Sequence, residues 1–191
     1  MSRFPPIPPN ELTPEQKEGH DEMDALAQQT FGSTFTLKNE EGALLGPFAP
    51  LLYTPTLVKP WLHLSHQVLT LPILSPRERE LAVFAVLART QANYAVYAHT
   101  KLCEKIGFSA AQISAAKAGE VPEGVSERER EAYVFAKELA GLKGGPLAAE
   151  VFGKARDVLG REGAAAVMHT VGSFLYASVL LNAADVEAPG S

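Results

Sequence analysis

The chain has 191 residues, long enough to bury one substantial core, and its 17 basic and 22 acidic residues leave a formal net charge of −5. The charges are interspersed, as in SEREREAYVFAKE, with no basic stripe that could neutralise phosphates, which excludes nucleic acid as an expected partner. Cys103 is the only cysteine, so an internal disulfide and an intrachain CxxC redox or zinc motif are excluded as well.

Helical signals recur along the chain and alternating strand-like runs are nearly absent, which predicts an all-α protein. The start, MSRFPPIPPNELTPEQ, reads as a proline-rich lead, and neither a signal peptide nor a membrane span is expected, so the expected location is cytoplasmic. Thr13 then serves as N-cap with Pro14 at the first helical position and Gln16 as capping-box partner, opening a polar helix to about Gln29. FGSTFTLKNEEGALLGPFAP reads as loop. A helix from about Thr56 to Leu71 follows, with Pro60 near its first turn.

Ser75, Pro76 and Glu78 repeat the capping box and start a helix to about Arg89, apolar on every side as a central buried helix must be. RTQAN is the bend before a helix from about Asn93 to Ile106, closed by Gly107 at C′. Boxes at Ser109 and at Ser126 open two more helices, the second reaching about Leu139. After GGP, Pro146 is expected to start a helix to about Leu159. REGAAAVMHTVGSFLYASVLLNA then reads as a long helix buried against its neighbours or another subunit. The organisation expected is an N-terminal extension with one helix (1–45), a helical domain (46–186) and a tail (187–191).

ELAVFAVLARTQANYAVYAH, from Glu80 to His99, bears a carboxylate at one end and an imidazole at the other. If its two helices fold as an antiparallel hairpin about Thr90, at ~1.5 Å rise per residue both groups lie ~14 Å from the turn and meet at one level. A carboxylate beside an imidazole fixes its tautomer and raises its basicity, the usual arrangement of a general base with its orienting partner. Ala92, Ala95 and Cys103 flank His99 with small side chains that leave room for a ligand, and Tyr94 and Tyr97 lie alongside. A buried Glu80–His99 pair that merely ties two helices together fits the spacing equally well.

The order Glu80, eleven residues, Ala92, two residues, Ala95, three residues, His99 resembles the E-x11-C-x2-C-x3-H motif of AhpD-type alkylhydroperoxidases. NYAVYAH is similar to the QYEWYAH string of the wider carboxymuconolactone decarboxylase family. GPFAPLLYTP, GFSAAQISAAKAG and VGSFLYASVLLNA resemble that family in the same order, from about Gly46 to Val186. The resemblance implies an AhpD-like helical fold with a central helix hairpin, a homo-oligomer that is most often trimer-based, and a small-molecule substrate.

Both cysteine positions of the redox motif are alanine here, which removes the thiolate and the resolving thiol that peroxide chemistry needs. Cys103 reads as a small packed residue. What the resemblance then implies is cofactor-free and metal-free acid–base chemistry. Decarboxylation of a small cyclic carboxylate or lactone, or a related isomerisation, would use His99 as proton shuttle, Glu80 as its orienting partner and Tyr94 or Tyr97 as donor to a developing enolate. A thiol redox protein and a non-catalytic helical oligomer are the alternatives. His63 and His66, three apart, share a helix face and read as a solvated face or pocket wall, with His66 the candidate for substrate contact. His169 reads as a satisfied core histidine and His20 as surface.

Overall fold

The computed structural model describes residues 2–190. The helices in chain order are α1 (Pro14–Phe31), α2 (Phe48–Leu51), a 3-10 turn (Pro55–Leu57), α3 (Val58–Thr70), α4 (Pro76–Thr90), α5 (Asn93–Lys105), α6 (Ala110–Lys117), α7 (Glu127–Ala140) and α8 (Ala149–Ala184). Among the described residues the extended backbone pairs only at an isolated bridge between Lys38 and Leu44. The fold is all-α, as the pattern predicts.

The capping boxes explain why these boundaries were readable. Thr13, Ser75, Ser109 and Ser126 each accept from the backbone N–H three residues on, and Gln16, Glu78, Gln112 and Glu129 reach back to the cap N–H. Each such cap contributes about 1 kcal/mol. At the end of α5, Gly107 takes φ 87°, and its N–H and that of Phe108 bond to Glu104 O and Cys103 O, a Schellman closure.

Every residue from Leu81 to Leu87 in α4 is buried, because α5, α6, α7 and α8 surround it. Each large apolar side chain there contributes about 1.5–3 kcal/mol by leaving water. A second cluster, with Met23, Leu44, Phe48, Leu51, Val58 and Leu62, joins α1, the following loop, α2 and α3. That loop carries the short helix α2, and the helix expected over 56–71 divides into the 3-10 turn and α3.

Gly160 has φ 77° and ψ 168° inside α8, so the break expected after Leu159 is there. The Arg128 guanidinium of α7 donates to Val158 O and Leu159 O, satisfying carbonyls that the break leaves without helical donors. The helix starts at Ala149 rather than Pro146, since Leu147 is drawn against the main core before the chain turns helical. Its second half corrects the expectation that no segment is long and apolar enough to span a membrane. The stretch after Gly163 carries no charge, and a window of α8 with mean hydropathy 1.6 passes that test by length and composition, with half of the window buried inside the protein. The other face leaves Met168, Tyr176 and Val179 exposed.

The proline-rich lead is fastened to the far end of the chain. Arg3 N–H and Ser2 Oγ–H both donate to Ala184 O, at 2.8 and 2.9 Å, and Arg3 Nη1 donates to Ala183 O. These carbonyls end α8 without helical partners, and a cation there also faces the negative end of the helix dipole.

Candidate active site

Gln91 ends α4 in the left-handed region and Ala92 opens α5 in an extended conformation, so the chain reverses in two residues. The reversal sets the level at which side chains of α4 and α5 meet. Glu80 Oε2 lies 2.7 Å from His99 Nδ1, and both residues are buried, 6 % and 7 % exposed. An ionised carboxylate can only accept, so Nδ1 is the donor in this contact and Nε2 is the nitrogen left to the cavity. Among the described residues no protein group hydrogen-bonds Nε2. Phe174 of α8 packs edge-on to the imidazole, 4.9 Å between ring centres.

His99 forms part of the wall of a cavity of about 100 Å³ between α1, α3, α5 and α8. From α3 come Trp61, Leu62, Ser65, His66 and Leu69, a stripe at helical spacing. Leu26, Thr30 and Phe31 of α1 face it, as do Phe174, Ala177 and Leu181 of α8. Ala95 and Ala98 supply the small surface beside His99. Thr30 Oγ donates to Leu26 O, so it accepts from His66 Nδ1 at 3.3 Å, which sets the orientation of that ring. Ser65 is 8 % exposed and its hydroxyl has no partner among the described residues, a burial that costs about 1–3 kcal/mol.

Of the residues picked out from sequence, His99, Tyr94, Ala95 and His66 reach the cavity wall, and Glu80 stands behind His99. Tyr97, Ala92 and Cys103 do not line it. Ala92 is fully buried in the bend, and Tyr97 turns its hydroxyl to Thr36, donating to Oγ1 and accepting from the backbone N–H. Tyr94 spends its own hydroxyl hydrogen on Thr36 O at 2.7 Å, and burial pushes its ionisation well above the ordinary phenol range. It therefore presents ring rather than donor. Cys103 Sγ lies 4.0 Å from Glu80 Oε2, and burial, then the Glu80 charge, pushes the thiol well up. A protonated thiol is a poor nucleophile.

Two histidines depart from expectation. His20 is buried, with Nδ1 near Asp21 and Nε2 near Gly42 O, because the loop after α1 folds back over it. His169 is exposed on the outer face of α8. His63 pairs with Glu22 at 2.9 Å and His66 with Thr30, and both histidines border a second, more open pocket beside Glu22, where among the described residues no group of three His, Cys, Asp or Glu side chains gathers. Most of the cavity lining was missed by sequence reasoning, Leu26, Phe31, Phe35, Ser65 and Phe174 among it. Ser65 had a signal in its position between Trp61, Leu62 and Leu69, on the apolar side of α3.

Fold and site together define an all-α protein that holds a buried carboxylate–imidazole pair against a mostly apolar cavity. Over residues 55–138 the chain matches the model of the carboxymuconolactone decarboxylase family, and the all-α fold agrees with the AhpD-like architecture that the resemblance implies. No curated protein is similar enough to the chain to match it. The matched stretch holds Glu80, His99 and the α3 stripe, whereas the walls given by α1 and α8 lie outside it.

Proposed function

We propose that this protein is a cofactor-independent acid–base enzyme that moves a proton on a small carbonyl-bearing substrate, as in isomerisation or decarboxylation of a lactone-type compound. The observation that carries the reading is the Glu80–His99 contact, with the other imidazole nitrogen left for the cavity. Glu80 holds the tautomer in which Nε2 is a base. His99 Nε2 takes a proton from the carbon next to the substrate carbonyl, and the electron pair moves onto the carbonyl oxygen as an enolate. The imidazolium formed is stabilised by Glu80 and returns the proton to the same or to the vinylogous carbon, with no net oxidation. In a decarboxylation the C–C bond to the carboxylate supplies the electron pair, carbon dioxide leaves, and the carbon takes a proton that His99 Nε2 has first picked up from water. Peroxide chemistry is disfavoured by Ala92 and Ala95 and by the raised, buried thiol of Cys103.

The test is exchange of the α-hydrogens of a small cyclic ketone or lactone for deuterium in D2O, followed by NMR. Wild type accelerates exchange over buffer and His99→Gln, checked for native circular dichroism, loses the acceleration by about 10²-fold or more. Equal rates in wild type and His99→Gln refute the assignment.

A further inference from the structure

The cavity contains a polar group that the proton transfer, as described, does not use. Ser65 stands at the centre of the α3 stripe, with Trp61, Leu62, His66 and Leu69 around it, and is more than nine-tenths buried with its hydroxyl unpartnered. A serine or threonine inside a helix ordinarily gives its hydrogen to the carbonyl four residues back. Thr30, Thr70, Thr100 and Thr170 all do so here, to Leu26, His66, Val96 and Ala166. Ser65 does not. Its hydroxyl is held out of reach of water without the bond that its neighbours make, and a change of side-chain rotamer presents it to the cavity.

The remainder of the wall limits what can be bound. Among the described residues no lysine, arginine, aspartate or glutamate lines the cavity, and its other polar side chains are Thr30 and Tyr94, whose hydroxyls are committed to Leu26 O and His66 and to Thr36 O, with Trp61, His66, His99 and Ser173. A carboxylate taken into such a place would lose its water with no cation to compensate. A neutral ligand with an apolar body loses little and gains the burial.

Building on the isomerisation form of the proton-transfer reading, and against its decarboxylation form, which would need a carboxylate in this wall, we propose that Ser65 is the anchor of the cavity. It donates a hydrogen bond to the carbonyl oxygen of an uncharged, largely apolar cyclic ketone or lactone, the class of ligand the site takes. The contact would hold the ligand's oxygen at α3 and leave an adjacent C–H to be presented to His99.

Wild type, Ser65→Ala and Ser65→Cys, the last keeping the shape of serine with a slightly larger and much weaker donor, are titrated with cyclohexanone, methylenecyclohexane and cyclohexanecarboxylate. Binding is followed by the amide resonances of Ala95 and His99. Ser65→Ala deletes a hydroxyl that nothing bonds, so the fold is retained. The expected result is that both variants weaken cyclohexanone about three- to tenfold, the value of one net hydrogen bond. Methylenecyclohexane, of the same shape without the oxygen, changes less than twofold, and the carboxylate binds most weakly to every protein. The anchor is overturned if cyclohexanone is held equally by wild type and Ser65→Ala, or if the hydrocarbon weakens as much as the ketone. The ligand class is overturned if the carboxylate binds tightest or if wild type does not bind cyclohexanone. Deuterium exchange in the same samples separates the two readings. Loss of exchange with Ser65-dependent binding intact refutes His99 as base and supports the anchor, whereas exchange with Ser65-independent binding refutes the anchor alone.

Discussion

Removing one member of the Glu80–His99 pair leaves the other without its partner in the protein interior. The carboxylate has one strong protein contact, His99 Nδ1 at 2.7 Å, and its other near polar neighbour, Cys103 Sγ, is a weak donor at 4.0 Å. Arg79, adjacent in sequence, feels the Glu80 charge but spends its Nη2 donors on Leu71 O and Leu74 O. His99→Leu therefore strands a buried charge, and breaking a buried pair in this way costs about 3–5 kcal/mol. For a chain of this length that is roughly 6–20 °C in melting temperature, at about 2–4 °C per kcal/mol. Replacing both groups removes both desolvation penalties, so Glu80→Met/His99→Leu is expected within about 1 kcal/mol of wild type. Equilibrium urea unfolding of wild type, both single variants and the double variant gives the coupling directly. A double variant as stable as wild type but inert in deuterium exchange would show that the pair is retained for chemistry rather than for the fold. If His99→Leu alone unfolds at the wild-type urea concentration, Glu80 does not depend on His99 and the reasoning is wrong.

Gly46→Ala tests the loop that covers Tyr94. Gly46 has φ +68°, and a Cβ there would collide with the Tyr94 ring, so left-handed strain of about 1–2 kcal/mol adds to loss of the Tyr94 bond to Thr36 O. A destabilisation of about 2–5 kcal/mol by urea unfolding is expected, and less than about 1 kcal/mol would mean that the loop moves freely. Cys103 provides a chemical test. Because its ionisation is raised, the thiol stays protonated through neutral and mildly alkaline pH, and iodoacetamide at pH 8 should label the native protein on the order of 100-fold more slowly than the unfolded chain. A native rate within tenfold of the unfolded one contradicts the burial.

The parts of this molecule that were legible in its sequence are those written locally. Reciprocal capping at Thr13, Ser75, Ser109 and Ser126 marks helix starts within a few residues of chain, and equal distances from the bend bring Glu80 and His99 together without knowledge of any other helix. What was not legible depends on partners far along the chain. His20 is covered by the loop ending near Gly46, a contact that no pattern in α1 announces. His169 lies on a helix apolar on both sides, where sequence does not say which side meets the core. Tyr97 has the right place on α5 but is drawn to Thr36. Ser65 looks like one more polar residue in WLHLSH until α1 and α8 close over it.

Ser2 and Arg3, by holding the final carbonyls of α8, make the described chain almost a ring. In a ring the position of the ends is incidental, and α8 and α1 become neighbours across the seam. The two cavity walls that lie outside the family-matched stretch, remote from each other by residue number, are thus successive parts of one circuit. A short peptide from residue 190 to residue 2, with new ends opened in the exposed Gly144–Gly145 turn, would place them on one continuous segment.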